Sequence, residues 1–229
     1  MKIESTNSLS NTTYRRVTDC LRLAIVNGEF KPGQRLKMSG LIDKFGTSQM
    51  PIREALQQLQ GEGLITIIPQ RGTRVRSIDI RFISNIYDMR IALESLLIRK
   101  ACEKKTLGWI DDLKRAQDIY ESLIDKKNIP ELIEANHHFH RVHNIAADNE
   151  EALEELERTE MLLTVLRTTY GYHKARILQV KIEHHEMIKC FEKWDTASVL
   201  AIHANHCENG KSTMLQRISE KIGTKKTNN

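Results

Sequence analysis

Aromatic side chains are scarce, at 5% of 229 residues, and the chain has only 11 glycines and 4 prolines. A sandwich of many short strands needs frequent turns and large flat side chains, so this composition points to helices instead. Cysteines are few as well. Cys20, Cys102, Cys190 and Cys207 lie far apart with no CxxC spacing. That excludes a disulfide framework and fits reduced thiols of a cytosolic protein. No apolar run approaches the ~20 residues needed to cross a bilayer. The opening MKIESTNSLSN lacks the apolar stretch of a secretory signal. The expectation is a cytoplasmic protein with no membrane partner. Missing too are HExxH, paired catalytic carboxylates beside the histidines, and any nucleophile–base pattern. No catalytic residue is assigned and an enzyme is not expected. Glu183 and Glu186 flank one histidine pair, which keeps a metal-dependent hydrolase as an alternative.

Charge is present but uneven. Residues 1–77 carry 12 Lys+Arg against 6 Asp+Glu, a net of +6; residues 78–229 carry 23 against 24, a net of −1. All nine histidines fall between His137 and His206. A basic front and a histidine-bearing back read as two modules with different partners. The boundaries are placed at 10–77 and 78–222, with 223–229, GTKKTNN, as a disordered tail.

In the front module, TTYRRVTDCLRLAIVN puts Tyr14, Val17, Cys20, Leu21, Ala24 and Ile25 on one helical face. Gly28 ends that helix and Lys31-Pro-Gly33 turns the chain. A short second helix follows, with Leu41, Ile42 and Phe45 inward, closed by Gly46. Thr47 and Ser48 suit the N-cap of a third helix, with Pro51 in its first turn and Ile52, Ala55, Leu56 and Leu59 as its apolar stripe. LITIIPQRGTRVRS then reads as strands at about 64–68 and 72–77 around PQRG, crowded by Arg71, Arg74 and Arg76. Two short helices joined by a glycine turn and followed by a basic hairpin make a winged helix-turn-helix. Guanidinium groups attract backbone phosphates regardless of sequence, and a helix N-terminus presents side chains to base edges, so double-stranded DNA is the expected partner.

The stretch AIVNGEFKPGQRL…LIDKFGTSQMPIREALQQLQGEGLITIIPQRGTRV resembles the DNA-binding domain of the GntR family of bacterial transcription regulators. The matching features are PG-x-x-L, G-x-S-x-x-P-I-R-E-A-L, L-x-x-x-G-L-I and a P-x-R-G wing. The resemblance implies that Ser48, Gln49, Arg53, Arg71 and Gly72 meet DNA, with Arg35 as a further candidate. The family often has Arg-Thr where this chain has Gln49-Met50. The arginine that would grip guanine or phosphate is replaced by a side chain able to pair with adenine N6 and N7.

From residue 79 on, every segment has helical period. Six helices are expected near 79–104, 107–127, 130–147, 149–170, 174–193 and 195–220, forming an all-α antiparallel bundle of six or seven helices. Ile86, Met89, Leu93, Leu96 and Leu97 form the apolar stripe of the first. On the helix carrying EANHHFHRVHN, Asn136, His140 and His143 share a face, while His137 and His138 point elsewhere. Further histidines occur in KIEHHEMI and AIHANHCEN. Three helices can thus each send an imidazole inward. Such donors suit a divalent metal, zinc best, with nickel, manganese or iron also fitting.

Residues 80–219 resemble the FCD ligand-binding domain of the FadR subfamily. The match runs through Arg90-Ile-Ala-Leu93-Glu94, Asn136-His-His-Phe139-His140, Ala146-Ala-Asp-Asn149, and Glu183-His184 followed by His206. The resemblance implies a metal held by Asn136, His140, His184 and His206. His185 stands one residue from His184 as a rival. Family members commonly have Asp where Asn136 stands, so this set is less charged. An ion so held has open positions for a small carboxylate effector, which Arg90 and Arg176 are placed to clamp. The expected function is a metabolite-responsive repressor that binds a two-fold operator as a homodimer. One alternative makes the ion itself the signal. Another makes the histidines purely structural beside an apolar pocket.

Overall fold

The protein is described from a computed structural model covering residues 4–76, 79–106, 108–126, 128–171 and 173–226. It is mostly helical and divides into two compact units, Met1–Asp79 and Ile80–Asn229.

The first unit contains α1 (Glu4–Val26), β1 (Arg35–Leu36), α2 (Met38–Phe45), α3 (Gln49–Gly61), β2 (Ile65–Ile68) and β3 (Gly72–Val75). α1 packs on α3. Val17, Leu21, Ala24 and Ile25 are buried on one helix, and Ile52, Ala55, Leu56 and Leu59 on the other. Each large side chain so removed from water contributes about 1.5–3 kcal/mol. Cys20, expected in that stripe, is exposed. Thr18 is buried in its place, its hydroxyl donating to the Tyr14 carbonyl at 2.8 Å. Both residues flank the stripe, and the side that the rest of the unit covers is the one bearing Thr18. Gly46 ends α2 in the left-handed region at φ 57°, donating its N–H to Ile42; this conformation disfavours residues with a Cβ.

β2 and β3 pair antiparallel from Ile65↔Val75 to Ile68↔Gly72, around a three-residue loop in which Gln70 has φ 60°. β1 extends the sheet on the other edge of β3, giving the order β1-β3-β2 with Arg35 opposite Arg74. The hairpin was expected; β1 was not, because two residues are too few to show alternation.

The second unit has six α-helices among the described residues: α4 (Ile80–Lys104), α5 (Gly108–Leu123), α6 (Ile129–Ala146), α7 (Glu150–Tyr170), α8 (Lys174–Glu192) and α9 (Thr196–Lys226). Local chemistry sets their ends. Asn128 caps α6 by accepting from Glu131 N–H at 3.4 Å, with Pro130 in the first turn. Asn149 caps α7 by accepting from Ala152 N–H at 3.2 Å. Gly171 closes α7 at φ 75°. α9 runs on to Lys226, into the segment 223–229 read as a disordered tail. One glycine costs a helix only about 1 kcal/mol and does not stop it. Residues 227–229 lie outside the described residues.

The main core gathers Leu97, Ile98, Leu113, Phe139, Met187 and Phe191, with Trp109 edge-on to Phe191 at 5.0 Å. α4 overturns the expected stripe. Its buried face is Ile83, Tyr87, Arg90, Glu94, Leu97, Ile98 and Ala101. Of the stripe read from the sequence, only Leu97 is buried; Met89 is 47% exposed and Leu96 38%. The reason is that α4 turns a charged pair, Arg90 and Glu94, inward, which leaves Met89 and Leu96 outside and Ile86 and Leu93 half-buried, Leu93 against the main core. No helix of the described residues is long and apolar enough to cross a membrane.

Candidate metal centre and nucleic-acid interface

In the first unit, α3 begins at Gln49 with Ser48 at its N-cap, yet the Ser48 side chain makes no capping bond. Ser48, Gln49, Met50 and Arg53 are exposed, and Met50 is 62% exposed. Met50 thus holds an apolar side chain out in water at the mouth of the helix, beside Gln49. In the wing, Arg71 is exposed. Gly72 has φ +84°, and a Cβ there would stand 3.2 Å from Nε of Arg35. The wing therefore brings Arg35 and Gly72 together, with Arg71 adjoining. Arg74 instead donates to the Gly33 carbonyl at 3.0 Å.

In the second unit, α6, α8 and α9 each supply one buried imidazole to a common point. Ligand nitrogens of His140, His184 and His206 all lie within 4.8 Å of one another. The ring centroids are 5.3 Å (His140–His184), 4.9 Å (His140–His206) and 5.2 Å (His184–His206) apart. His184 stacks flat on Phe139, centroids 3.7 Å apart. Its Nδ1–H donates to Oε1 of Gln117 at 2.8 Å. The Gln117 amide is oriented in turn by donating Nε2–H to Glu121 at 2.9 Å. This fixes the His184 tautomer and leaves Nε2 as a lone pair, which is buried and without a partner. His206 donates Nδ1–H to Glu183 at 2.7 Å, so its Nε2 is also a lone pair. That atom faces His140 Nε2 at 3.1 Å.

Without an ion the two nitrogens share one hydrogen bond whose direction follows the His140 tautomer; a cation between them would take both lone pairs. Bonds of 2.0–2.1 Å to one ion place neighbouring nitrogens about 3.0–3.4 Å apart, and the observed 3.1 Å falls within that span. The donor set therefore fits a divalent metal. Burial holds His140 and His184 well below the usual histidine range and His206 at about 4, so the rings are already in the neutral form that metals require. Asn136 is buried and lines the same cleft as His206. His185 does not join: it is exposed and meets Glu121 at 2.6 Å.

Beside this point lies a buried charge network that the sequence did not disclose. Arg90 donates to Glu94 through Nε at 3.0 Å and Nη2 at 3.3 Å, and through Nη1 to Glu160. Arg167 donates to the other oxygen of Glu160. Arg176 donates to Glu183 at 2.7 Å and to the His206 carbonyl at 2.9 Å. Burial works to raise Glu94, but Arg90, His203 and His140 hold it well below the carboxylate range. Burial likewise lowers His203, yet Cys207 and Glu94 raise it to about 10. Glu94, His203 and Cys207 form a second close group. Its carboxylate is already gripped by Arg90 and by His203 at 2.6 Å, so it reads as an ion network. Arg167, Glu160, Gln117, His203 and Cys207 went unassigned because their segments look like solvated or ordinary helix; only the fold makes them neighbours.

The comparisons agree with this division. Residues 13–75 match the model described as bacterial regulatory proteins, gntR family, and residues 85–209 match the FCD domain. Over 206 residues the chain is 27% identical to the uncharacterized HTH-type transcriptional regulator YdhC of Bacillus subtilis, covering 88% of this chain and 92% of that one. Over 222 residues it is 25% identical to the HTH-type transcriptional repressor RspR of Escherichia coli, covering 97% and 94%. In fold it is similar to the solved structure of Lar, which controls expression of the Listeria monocytogenes agr system. The TM-score is 0.74 at 13% identity, over 94% of this chain and 99% of that one.

Proposed function

The chain belongs to the gntR family of bacterial transcriptional regulators, in the branch that carries an FCD domain, and on that premise we propose that it is a cytoplasmic, metal-dependent repressor governed by a small organic acid. The observation that carries the reading is the convergence of His140, His184 and His206, with one buried nitrogen left without a partner. Asn136 completes the set of donors. When bound, the ion supplies a Lewis-acidic attachment point for a carboxylate. Arg90 and Arg176, both on the cleft wall with Asn136 and His206, attract and orient the acid. The same cleft carries a third guanidinium, Arg167. Repression is the role named for the relative RspR.

The first unit holds the operator. Gln49 and Met50 face the bases from the start of α3, while Arg53, Arg71 and Arg35 neutralise phosphates and Gly72 lets the wing approach closely. Arg71→Ala is expected to weaken binding about equally on all sequences and to reduce the slope of log affinity against log salt by about 1. Fluorescence anisotropy across a salt series on promoter fragments checks this. An unchanged slope removes Arg71 from the interface.

A two-fold operator calls for two chains. The outward row on α4, Met89 and Leu96 with half-buried Ile86 beside them, is the surface we assign to the second copy. A lone chain leaves that row in water, whereas a symmetric partner covers it with the same row. Met89→Asp is expected to lower the mass measured by light scattering toward that of one chain and to weaken operator binding with it.

Comparing operator affinity for metal-free protein, zinc-loaded protein and zinc-loaded protein with acid tests the sensing scheme. A shift that needs acid supports it. A shift produced in full by zinc alone makes the ion the signal, and no shift under any condition ends the scheme.

A further inference from the structure

The opening turn of α3 constrains which base the operator presents; this step rests on the assignment of that helix to DNA above. The face of α3 turned from the core carries Gln49, Met50, Arg53 and Gln57, all exposed. The opposite face, Ile52, Ala55, Leu56 and Leu59, is buried with no contribution from Met50. Met50 is thus the one apolar member of a polar row, 62% exposed at the second residue of the helix. Among the described residues of the first unit, Leu23 on α1 is the only other large apolar side chain left so exposed. Single apolar residues on a surface are ordinary. One set between an amide and a guanidinium, at the end of a helix that meets base edges, is not, because whatever it meets there must lose its water.

In the major groove the base pairs offer hydrogen-bond donors and acceptors and a single apolar group, the C5 methyl of thymine. A thioether pressed on the edge of guanine, adenine or cytosine strips water from polar atoms and returns no hydrogen bond, which costs affinity. Against a thymine methyl it takes apolar surface on both sides out of water, and each methyl so buried is worth about 4-fold in affinity. The methionine side chain is unbranched and polarizable, so it fits such a group without strain.

We propose that Met50 is a specificity-determining residue that selects one thymine in each half-site by packing its thioether on the C5 methyl. Gln49 reads an adjoining base through hydrogen bonds, and Arg53, one turn further on, neutralises a phosphate. The selection is for the methyl rather than for the A·T pair, so 5-methylcytosine satisfies it as well.

Full-length protein is used to select bound duplexes from a random pool. Each thymine of the selected site is then replaced singly by uracil, which keeps the pairing and removes only the methyl. Fluorescence anisotropy is expected to show one thymine per half-site whose loss of methyl weakens binding about 4-fold. Cytosine at that position weakens binding further, and 5-methylcytosine recovers about 4-fold over cytosine. Met50→Gln keeps the length of the side chain and removes its apolar end. It should melt as the native protein does, since Met50 is exposed. It should bind the thymine and uracil duplexes equally at that position and leave the effect of uracil elsewhere as it was. If no thymine shows the effect, or the effect persists at full size in Met50→Gln, the proposal is overturned while the operator reading stands. If no duplex is retained from the pool at low salt, both fall.

Discussion

Replacing Glu94 with alanine is expected to destabilise the helical bundle by about 3–5 kcal/mol, the range for removing one partner of a buried ion pair. Glu94 is buried and accepts from Arg90 twice, from His203 at 2.6 Å and from Asn144 at 3.2 Å. Alanine leaves Arg90 leaning on Glu160 alone and deprives His203 of its carboxylate. Neither can reach water, so the desolvation of each is no longer offset. For a unit of this size the loss corresponds to a fall of about 6–20 °C in Tm, read by differential scanning calorimetry as a shift of the bundle's transition. Glu94→Gln preserves shape and an acceptor but not charge, and is expected to fall between the two. The pH dependence carries a sign. His203 is raised from the ordinary histidine range to about 10, so its contribution is complete below about pH 6.5 and fades as pH rises through 10. Glu94→Ala should flatten that decline. A cost below about 1 kcal/mol would mean that water reaches these groups.

What the sequence disclosed and what it hid divide along a physical line. α3 was legible because Pro51, Gly46 and the stripe Ile52–Ala55–Leu56–Leu59 all act locally. The wing was legible because alternation and PQRG agree. The imidazoles at 140, 184 and 206 were reachable through helical spacing and the family resemblance. Choosing His184 over His185 was not, since neighbouring residues on a helix point about 100° apart and only packing decides which points inward. α4 misled for a related reason. Periodicity finds the apolar face and takes it to be the inner one, whereas here the inner face carries Arg90 and Glu94. Glu160 and Arg167 lie in EELERTEMLLTVLR, which reads as a wet, charged helix until α4 is laid against it. Pairs separated by 70 residues, such as Arg90 and Glu160, leave no trace in local pattern.

The second large effect concerns the metal. Replacing His140, His184 or His206 by a side chain without a donor is expected to lower zinc affinity on the order of 10²–10³-fold, because about 10–16 kcal/mol is shared among about four ligands. Competition against a chromophoric chelator measures it. Gln117→Leu frees the His184 ring to rotate and change tautomer, and should lower affinity about 10–100-fold. His138→Ala should change nothing, since that residue is exposed. His184→Leu makes the sharper test because it separates ligand from filler. Without metal, the native Nε2 is a buried lone pair with no partner, but leucine alone also orphans the Gln117 oxygen that accepts from Nδ1–H, so His184→Leu is made in combination with Gln117→Leu, and the pair should leave stability unchanged or raise it. With saturating zinc only the native protein gains RT ln(1 + [L]/Kd), and the same pair becomes destabilising. A reversal of sign between the two melting curves follows only if His184 is held inward for an ion. If the pair destabilises equally with and without zinc, the imidazole is there for packing and the convergence of the three rings has another cause.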